Sequence, residues 1–131
     1  MGIFTPKGFL QVGGAVLLLV GILGYVGVIG PTPDSSLFGE FWYFDNAENI
    51  AHTVLGIVAL AAAFLLKDAG MQKTLVMIVG VIALLVGIYG FITPSLLGAN
   101  LENPADNILH LVVGAWALAA SMKKGDGMMM K

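Results

Sequence analysis

Four long apolar runs are separated by short polar segments along the chain. They cover approximately residues 9–30, 48–66, 72–93 and 105–122. Each is close to the ~20 residues that a helix needs to cross a bilayer core. Backbone polar groups in hydrocarbon must be satisfied within the segment, and the alternating pattern of a membrane barrel is absent. The pattern therefore predicts an all-α fold, an integral membrane four-helix bundle.

The composition strengthens this prediction. Of the 131 residues, 58% are hydrophobic and 11% are charged, and the mean hydropathy is +0.93. Such a chain is poorly suited to a soluble domain, so the lipid bilayer is its expected partner. The sequence has no cysteine, which excludes a disulfide framework and a thiolate metal site. It has neither a phosphate-binding loop nor a basic patch, so no nucleic-acid partner is expected.

The lysines are distributed unevenly among the connections and termini. All six lie before the first run, beside the second connection or after the last run: Lys7, Lys67, Lys73, Lys123, Lys124 and Lys131. In the other two connections all the charged residues are acidic: Asp34, Glu40, Asp45, Glu48, Glu102 and Asp106. The positive-inside rule therefore predicts that the N- and C-termini are cytoplasmic and that the acidic connections face outward.

Two segments of the chain are nearly the same. AENIAHTVLGIVALAA at 47–62 and ADNILHLVVGAWALAA at 105–120 share ten of sixteen positions at an offset of 58. LLVGILGY at 18–25 matches LLVGIYGF at 84–91 at an offset of 66, which places an eight-residue insertion in the first unit. We therefore predict a tandem duplicated helical hairpin within a single transmembrane domain, residues 1–131. Repeat 1 covers about 9–66 and repeat 2 about 72–122, related by an axis along the membrane normal.

Glycines recur in the first and third runs. They are Gly21, Gly24, Gly27 and Gly30 in the first, and Gly80, Gly87 and Gly90 in the third. Small residues let helix backbones approach closely in membranes, where the hydrophobic effect contributes little to association. We expect most of these glycines to pack helices within the molecule. Glycine faces left over would suit a homo-oligomer or a larger membrane complex.

The insertion is rich in aromatic residues. Five of the seven residues at 38–44 are aromatic: Phe38, Phe41, Trp42, Tyr43 and Phe44. Such residues favour the headgroup layer, which accommodates an apolar ring and a polar edge together. We expect a segment lying on the outer leaflet. A surface for a partner protein and a lid over the mouth of the bundle are the alternatives.

Each repeat carries an acid, an asparagine and a histidine at the same spacing. The acids, Glu48 and Asp106, lie three residues after Asp45 and Asn103, the spacing of a capping box. They would satisfy free amides and complement the positive end of the helix dipole. Helix capping is therefore the favoured explanation for both acids.

The histidines lie deeper, about 10 Å along each helix from its cap. An ionisable residue at that depth should face the bundle interior and have a partner. We favour a structural polar pair, in which hydrogen bonds of Asn49, Asn107, His52 and His110 hold the helices together. A second hypothesis is a metal site made by His52, His110, Glu48 and Asp106. A third is a haem or pigment held by both imidazoles, although bulky neighbours suggest little spare volume in so small a bundle.

The segment ADNILHLVVG at 105–114 resembles the A-D-N-x-L-H-L-x-x-G segment of a family of small four-helix bacterial and archaeal membrane proteins of unknown function. NIAHTVLG at 49–56 matches the histidine of that family's first half, with Thr53 in place of the usual leucine. The resemblance implies a four-helix fold in the cytoplasmic membrane of a prokaryote. It supplies no catalytic residues.

The predicted function follows from these observations. No cluster joins a nucleophile, a base and a closed pocket, so an enzyme is not expected. The leading hypothesis is a structural or accessory integral membrane protein, a subunit of a larger assembly or a homo-oligomer. The alternative is a metal- or haem-binding membrane protein that uses His52 and His110.

Overall fold

The computed structural model describes residues 2–93, 95–96, 98–101 and 104–122. Four α-helices account for most of them: α1 at Pro6–Tyr25, α2 at Asn46–Leu65, α3 at Ala69–Ile92 and α4 at Ala105–Met122. The four predicted helices are thus confirmed. By length and composition, all four are candidates to cross a membrane.

Polar side chains fix the starts of three helices. Thr5 Oγ1 accepts a hydrogen bond from the Gly8 amide at 3.1 Å at the start of α1. Asp45 and Glu48 form the predicted capping box at the start of α2, and Asp68 accepts from two amides at the start of α3. These bonds satisfy amides that have no partner within the helix. Asn103, the predicted cap of α4, lies outside the described residues.

Helix α1 ends earlier than its apolar run. The run was predicted to be helical to residue 30, but α1 ends at Tyr25. Gly27 follows with φ of +88°, a left-handed conformation that glycine adopts without strain and that commonly closes a helix. The carbonyl of Leu23 accepts from the amides of Val28 and Ile29, both at 3.2 Å. Hydrophobicity alone could not place this end, because residues 26–30 are as apolar as the helix itself.

The connections have regular structure of their own. The first connection, residues 26–45, includes short 3-10 turns at Pro33–Ser35 and Gly39–Phe41. Within this connection, the Leu37 amide donates to the Val28 carbonyl and the Phe44 amide donates to the Ile29 carbonyl. The third connection, residues 93–104, contains antiparallel strands β1 at Ser95–Leu96 and β2 at Ala99–Asn100. The all-α prediction missed this small hairpin.

Helices α1 and α2 form one antiparallel pair, and α3 and α4 form another. Glycines set the distance in each pair. A Cβ on Gly56 would lie 2.7 Å from the Leu18 amide nitrogen, and one on Gly114 would lie 2.9 Å from that of Leu84. Real side chains do not tolerate such contacts, so only glycine permits this spacing. Gly56 and Gly114 are 58 residues apart, and Leu18 and Leu84 are 66 residues apart. These separations are the offsets of the sequence repeat, so corresponding residues meet in both pairs.

The two pairs meet chiefly through α1, which contacts both α3 and α4. Their shared apolar core lies at the end of the bundle where α1 begins and α4 ends, here called the terminal end. It consists of Phe9, Leu10, Ala63, Val76, Ala117 and Ala120. Trp116 adds an edge-to-face contact with Phe9 at 4.6 Å between ring centroids. The opposite end, where the first and third connections lie, is here called the connection end.

Candidate functional site

The two acid–asparagine–histidine motifs both lie at the connection end, in the first turns of α2 and α4. Glu48 is buried and belongs to the capping box. Its Oε1 accepts from the Asp45 amide at 3.1 Å, while its own amide donates to Asp45 Oδ1 at 2.9 Å. Asp45 Oδ2 also accepts from the Asn100 amide at 2.9 Å. Asp45 therefore caps α2 and joins the first connection to the third.

The asparagines contact glycines of the neighbouring helix. Asn49 and Asn107 are fully buried. A Cβ built on Gly24 would collide with Asn49 Oδ1, and one on Gly90 would collide with Asn107 Oδ1. Each amide oxygen therefore occupies the space that a side chain at the opposing glycine would need. Asn49 Nδ2 also donates to the Phe44 carbonyl at 3.1 Å.

Asp106 is fully buried and receives a hydrogen bond from a distant part of the chain. The Nε1 of Trp42 donates to its Oδ1 at 2.8 Å. This bond joins the aromatic insertion of the first unit to the start of the last helix. No sequence pattern indicates this pair, because the two residues are 64 positions apart in the chain. The aromatic cluster at 38–44 marked the segment but not its acceptor.

His110 bonds within its own helix. Its Nδ1 lies 2.8 Å from the Asp106 carbonyl oxygen. A carbonyl can only accept, so Nδ1 carries the proton and, in the neutral ring, Nε2 keeps its lone pair. The bond therefore fixes the tautomer of His110 and orients its ring. It does not connect α4 with another helix.

His52 is in a different environment. Its Nδ1 is enclosed and makes no hydrogen bond with the described residues. Its ring packs edge-to-face on Phe44, with centroids 5.1 Å apart. Phe44 contacts Trp42 at 5.4 Å, and Trp42 contacts Phe38 at 5.5 Å. Four rings thus form a continuous row from the insertion to α2.

The predicted ligand set does not converge on one point among the described residues. No group of three or more histidine, aspartate or glutamate side chains there could hold a metal ion. Glu48 is engaged in its cap and Asp106 with Trp42. The metal site of His52, His110, Glu48 and Asp106, the haem alternative and the polar-pair hypothesis all stay predictions.

Two apolar cavities lie between the helix pairs. The outer cavity, of about 260 Å³, is at the connection end. Its walls are Val16, Leu17, Val20, Ile29, Phe38, Trp42, Phe44, His52, Leu109 and Val113. The inner cavity, of about 200 Å³, extends toward the terminal end and includes Phe9, Gly13, Leu55, Val79 and Trp116 in its lining. The sequence had suggested little spare volume here. The first connection and the glycines of α1 leave this space.

Comparisons with protein-family models, curated proteins and solved structures find no match to this chain. The similarity of residues 105–114 to a family of small membrane proteins therefore stays a prediction.

Proposed function

We propose that this chain is a structural or accessory integral membrane protein, whose four helices span the bilayer. The observation that carries the proposal is that many large apolar side chains lie on the surface of the molecule. Large apolar side chains such as Ile57, Leu85 and Val112 are more than half exposed. No more than 33% of any candidate span is buried inside the molecule. Exposed apolar surface on this scale suits hydrocarbon rather than water.

The interior combines an apolar core with many small and polar residues. Glycines lie at the contacts within each helix pair, and several polar groups at the connection end take part in structural bonds. Asp45 and Glu48 cap α2, Trp42 joins Asp106, and Asn49 lies against Gly24. Their use in holding the molecule together supports a structural role over a catalytic one.

The duplicated hairpin is part of the same proposal. The contact of Gly24 with Asn49 has its counterpart in Gly90 with Asn107. The glycines differ by 66 residues and the asparagines by 58, the offsets of the sequence repeat. A tandem duplication accounts for both the sequence identity and the matching contacts.

Labelling of introduced cysteines tests the membrane placement, because the native chain has no cysteine to interfere. Asp34 lies in the first connection and Lys67 in the turn between α2 and α3, and both are exposed. In intact cells, an impermeant thiol reagent should label Asp34→Cys and spare Lys67→Cys until the membrane is opened. Equal labelling of both variants, or recovery of the protein in the soluble fraction, would contradict the proposal.

A native-mass measurement of the detergent-solubilised protein tests the accessory role. We expect either a defined oligomer of this chain or a complex with another membrane protein. Because the glycines in the helix pairs face inward, the partner surface should be one of the exposed apolar faces of the helices. A monomer in native-like lipid nanodiscs, with no partner captured by crosslinking in the membrane, would contradict a role in assembly.

Ligand binding by the histidines is the second candidate, and one observation favours it. His110 donates from Nδ1 to a backbone carbonyl, the bond that commonly orients a ligating histidine through its other nitrogen. His52 has an Nδ1 without a hydrogen bond to the described residues. The candidate needs further ligands or a cofactor, since two imidazoles alone are a sparse metal site.

A further inference from the structure

The two cavities adjoin one another along α1. Val16, Leu17 and Val113 belong to both linings. Helix α1 forms the floor of the combined space, α2 one wall, and α3 with α4 the other. The pairs are joined at the terminal end by the apolar core and at the connection end by Trp42 and Asp106. The space between is a groove bounded at both ends, here called the inter-hairpin groove.

The lining decides the chemistry of the occupant. The surface of the inner cavity is wholly apolar, and that of the outer cavity nearly so. An ordered water would need two to four polar partners that these walls do not offer. A polar or charged small molecule would lose its hydration without compensation. Only an apolar molecule gains by entering.

The size of the groove selects among apolar occupants. From Phe9 to Val20 the floor extends about 17 Å along α1 at the helical rise of 1.5 Å per residue. A benzene-sized molecule fills an apolar cavity of ~150 Å³. The groove, with cavities of about 200 and 260 Å³, is therefore large enough for a single hydrocarbon chain.

We propose that the inter-hairpin groove binds one aliphatic hydrocarbon chain of a membrane lipid, running along α1 beneath His52 and the aromatic row. The length of the floor is close to the hydrocarbon thickness of one leaflet, ~15 Å. Neither cavity is fully enclosed, so a chain enters sideways from the surrounding lipid. The same chemistry is offered by a phospholipid acyl chain and by an isoprenoid chain. The inference rests on the membrane placement proposed above.

A matched pair of variants on α4 tests the groove. Val113 lines both cavities, whereas its neighbour Val112 is 59% exposed on the outer surface. Val113→Phe places a ring in the groove, and Val112→Phe adds the same ring outside it. The added ring occupies the space of the lipid's hydrocarbon chain and takes over its contacts with the groove. We therefore expect Val113→Phe to lower the amount of lipid retained per protein molecule by about tenfold.

The measurement is the native mass of protein extracted from membranes and washed extensively in detergent. The native protein and Val112→Phe should each retain one lipid, whose mass assigns it as an acyl or an isoprenoid compound. Val113→Phe should lose it while keeping its unfolding temperature, because a filled cavity restores packing. If that variant does not fold, Val16→Phe replaces it, since Val16 lines both cavities from a half-exposed position.

Two outcomes would overturn the inference. One is a native protein that retains only detergent. The other is a folded groove variant that retains as much lipid as Val112→Phe. Either result would leave the membrane placement intact, because cysteine labelling tests that placement independently.

Discussion

Trp42 Nε1 and Asp106 Oδ1 lie 2.8 Å apart and join the insertion of the first hairpin to the first turn of the last helix. The acceptor is fully buried and the donor lies in the row of aromatic rings that ends at His52. Together with the bond from the Asn100 amide to Asp45, it holds the two hairpins together at the connection end. This end of the molecule is therefore closed by polar bonds, and the terminal end by apolar packing.

Loss of this bond should lower stability. Trp42→Phe removes the donor and leaves a ring in its place, which should cost about 1–3 kcal/mol, the range for a buried acceptor that loses a partner. Thermal unfolding in detergent, followed by circular dichroism, measures the change. Phe41→Leu is the matched control, because Phe41 is 64% exposed in the same segment.

A double-mutant cycle separates the bond from other effects. Asp106→Ala alone should destabilise, and its effect combined with Trp42→Phe should fall short of the sum by at least ~0.5 kcal/mol. Strict additivity of the two changes would show that the contact does not stabilise the fold.

The glycines that contact Asn49 and Asn107 should not tolerate replacement by a residue with a side chain. Gly24→Ala and Gly90→Ala each place a methyl group against an amide oxygen, and overpacking of this kind costs about 1–3 kcal/mol. Gly13→Ala is the control on α1, since its Cβ would meet only Phe9 at 3.8–3.9 Å. That change should be neutral or stabilising by up to ~1 kcal/mol through helix propensity. Equal unfolding temperatures for Gly13→Ala and Gly24→Ala would contradict this account of the helix pair.

Asp45 should contribute more to the free energy of unfolding than an ordinary N-cap residue does. Asp45→Ala removes the acceptor for the Glu48 amide and the acceptor for the Asn100 amide. We expect a loss of about 1–2 kcal/mol or slightly more, measured by chemical or thermal unfolding in detergent. Asp34→Ala, an exposed acid of the same connection, should change stability by less than ~0.5 kcal/mol. A loss at Asp34 as large as that at Asp45 would argue for a general charge effect.

The histidine variants distinguish a structural role from a ligand role. His52→Ala and His110→Ala should leave metal content, measured by elemental mass spectrometry, at the level of the buffer. His110→Ala should lower the unfolding temperature because its hydrogen bond to the Asp106 carbonyl is lost. If the native protein contains stoichiometric metal or shows a Soret band, and both variants lose that signal, the ligand hypothesis would be established instead. His110→Asn, which lacks the imidazole, is a useful polar control.

The sequence by itself determined the four helices and the Asp45–Glu48 capping box, and it contains a direct repeat between the two hairpins. These features depend on local periodicity, cap spacing and a direct repeat, all of which are visible along the chain. Glycine spacing also indicated close packing, although Gly27 and Gly30 lie beyond the end of α1.

Only the tertiary structure decided where α1 ends, which partners the buried polar groups take and where space is left. Trp42 finds Asp106 across 64 residues of chain, and the amide oxygens of Asn49 and Asn107 lie against Gly24 and Gly90. The groove exists because α1 lies at the centre while α2 and α4 stand apart at the level of Val16 and Val113. Such relationships depend on how the two hairpins are placed against each other, and no local sequence pattern encodes that placement.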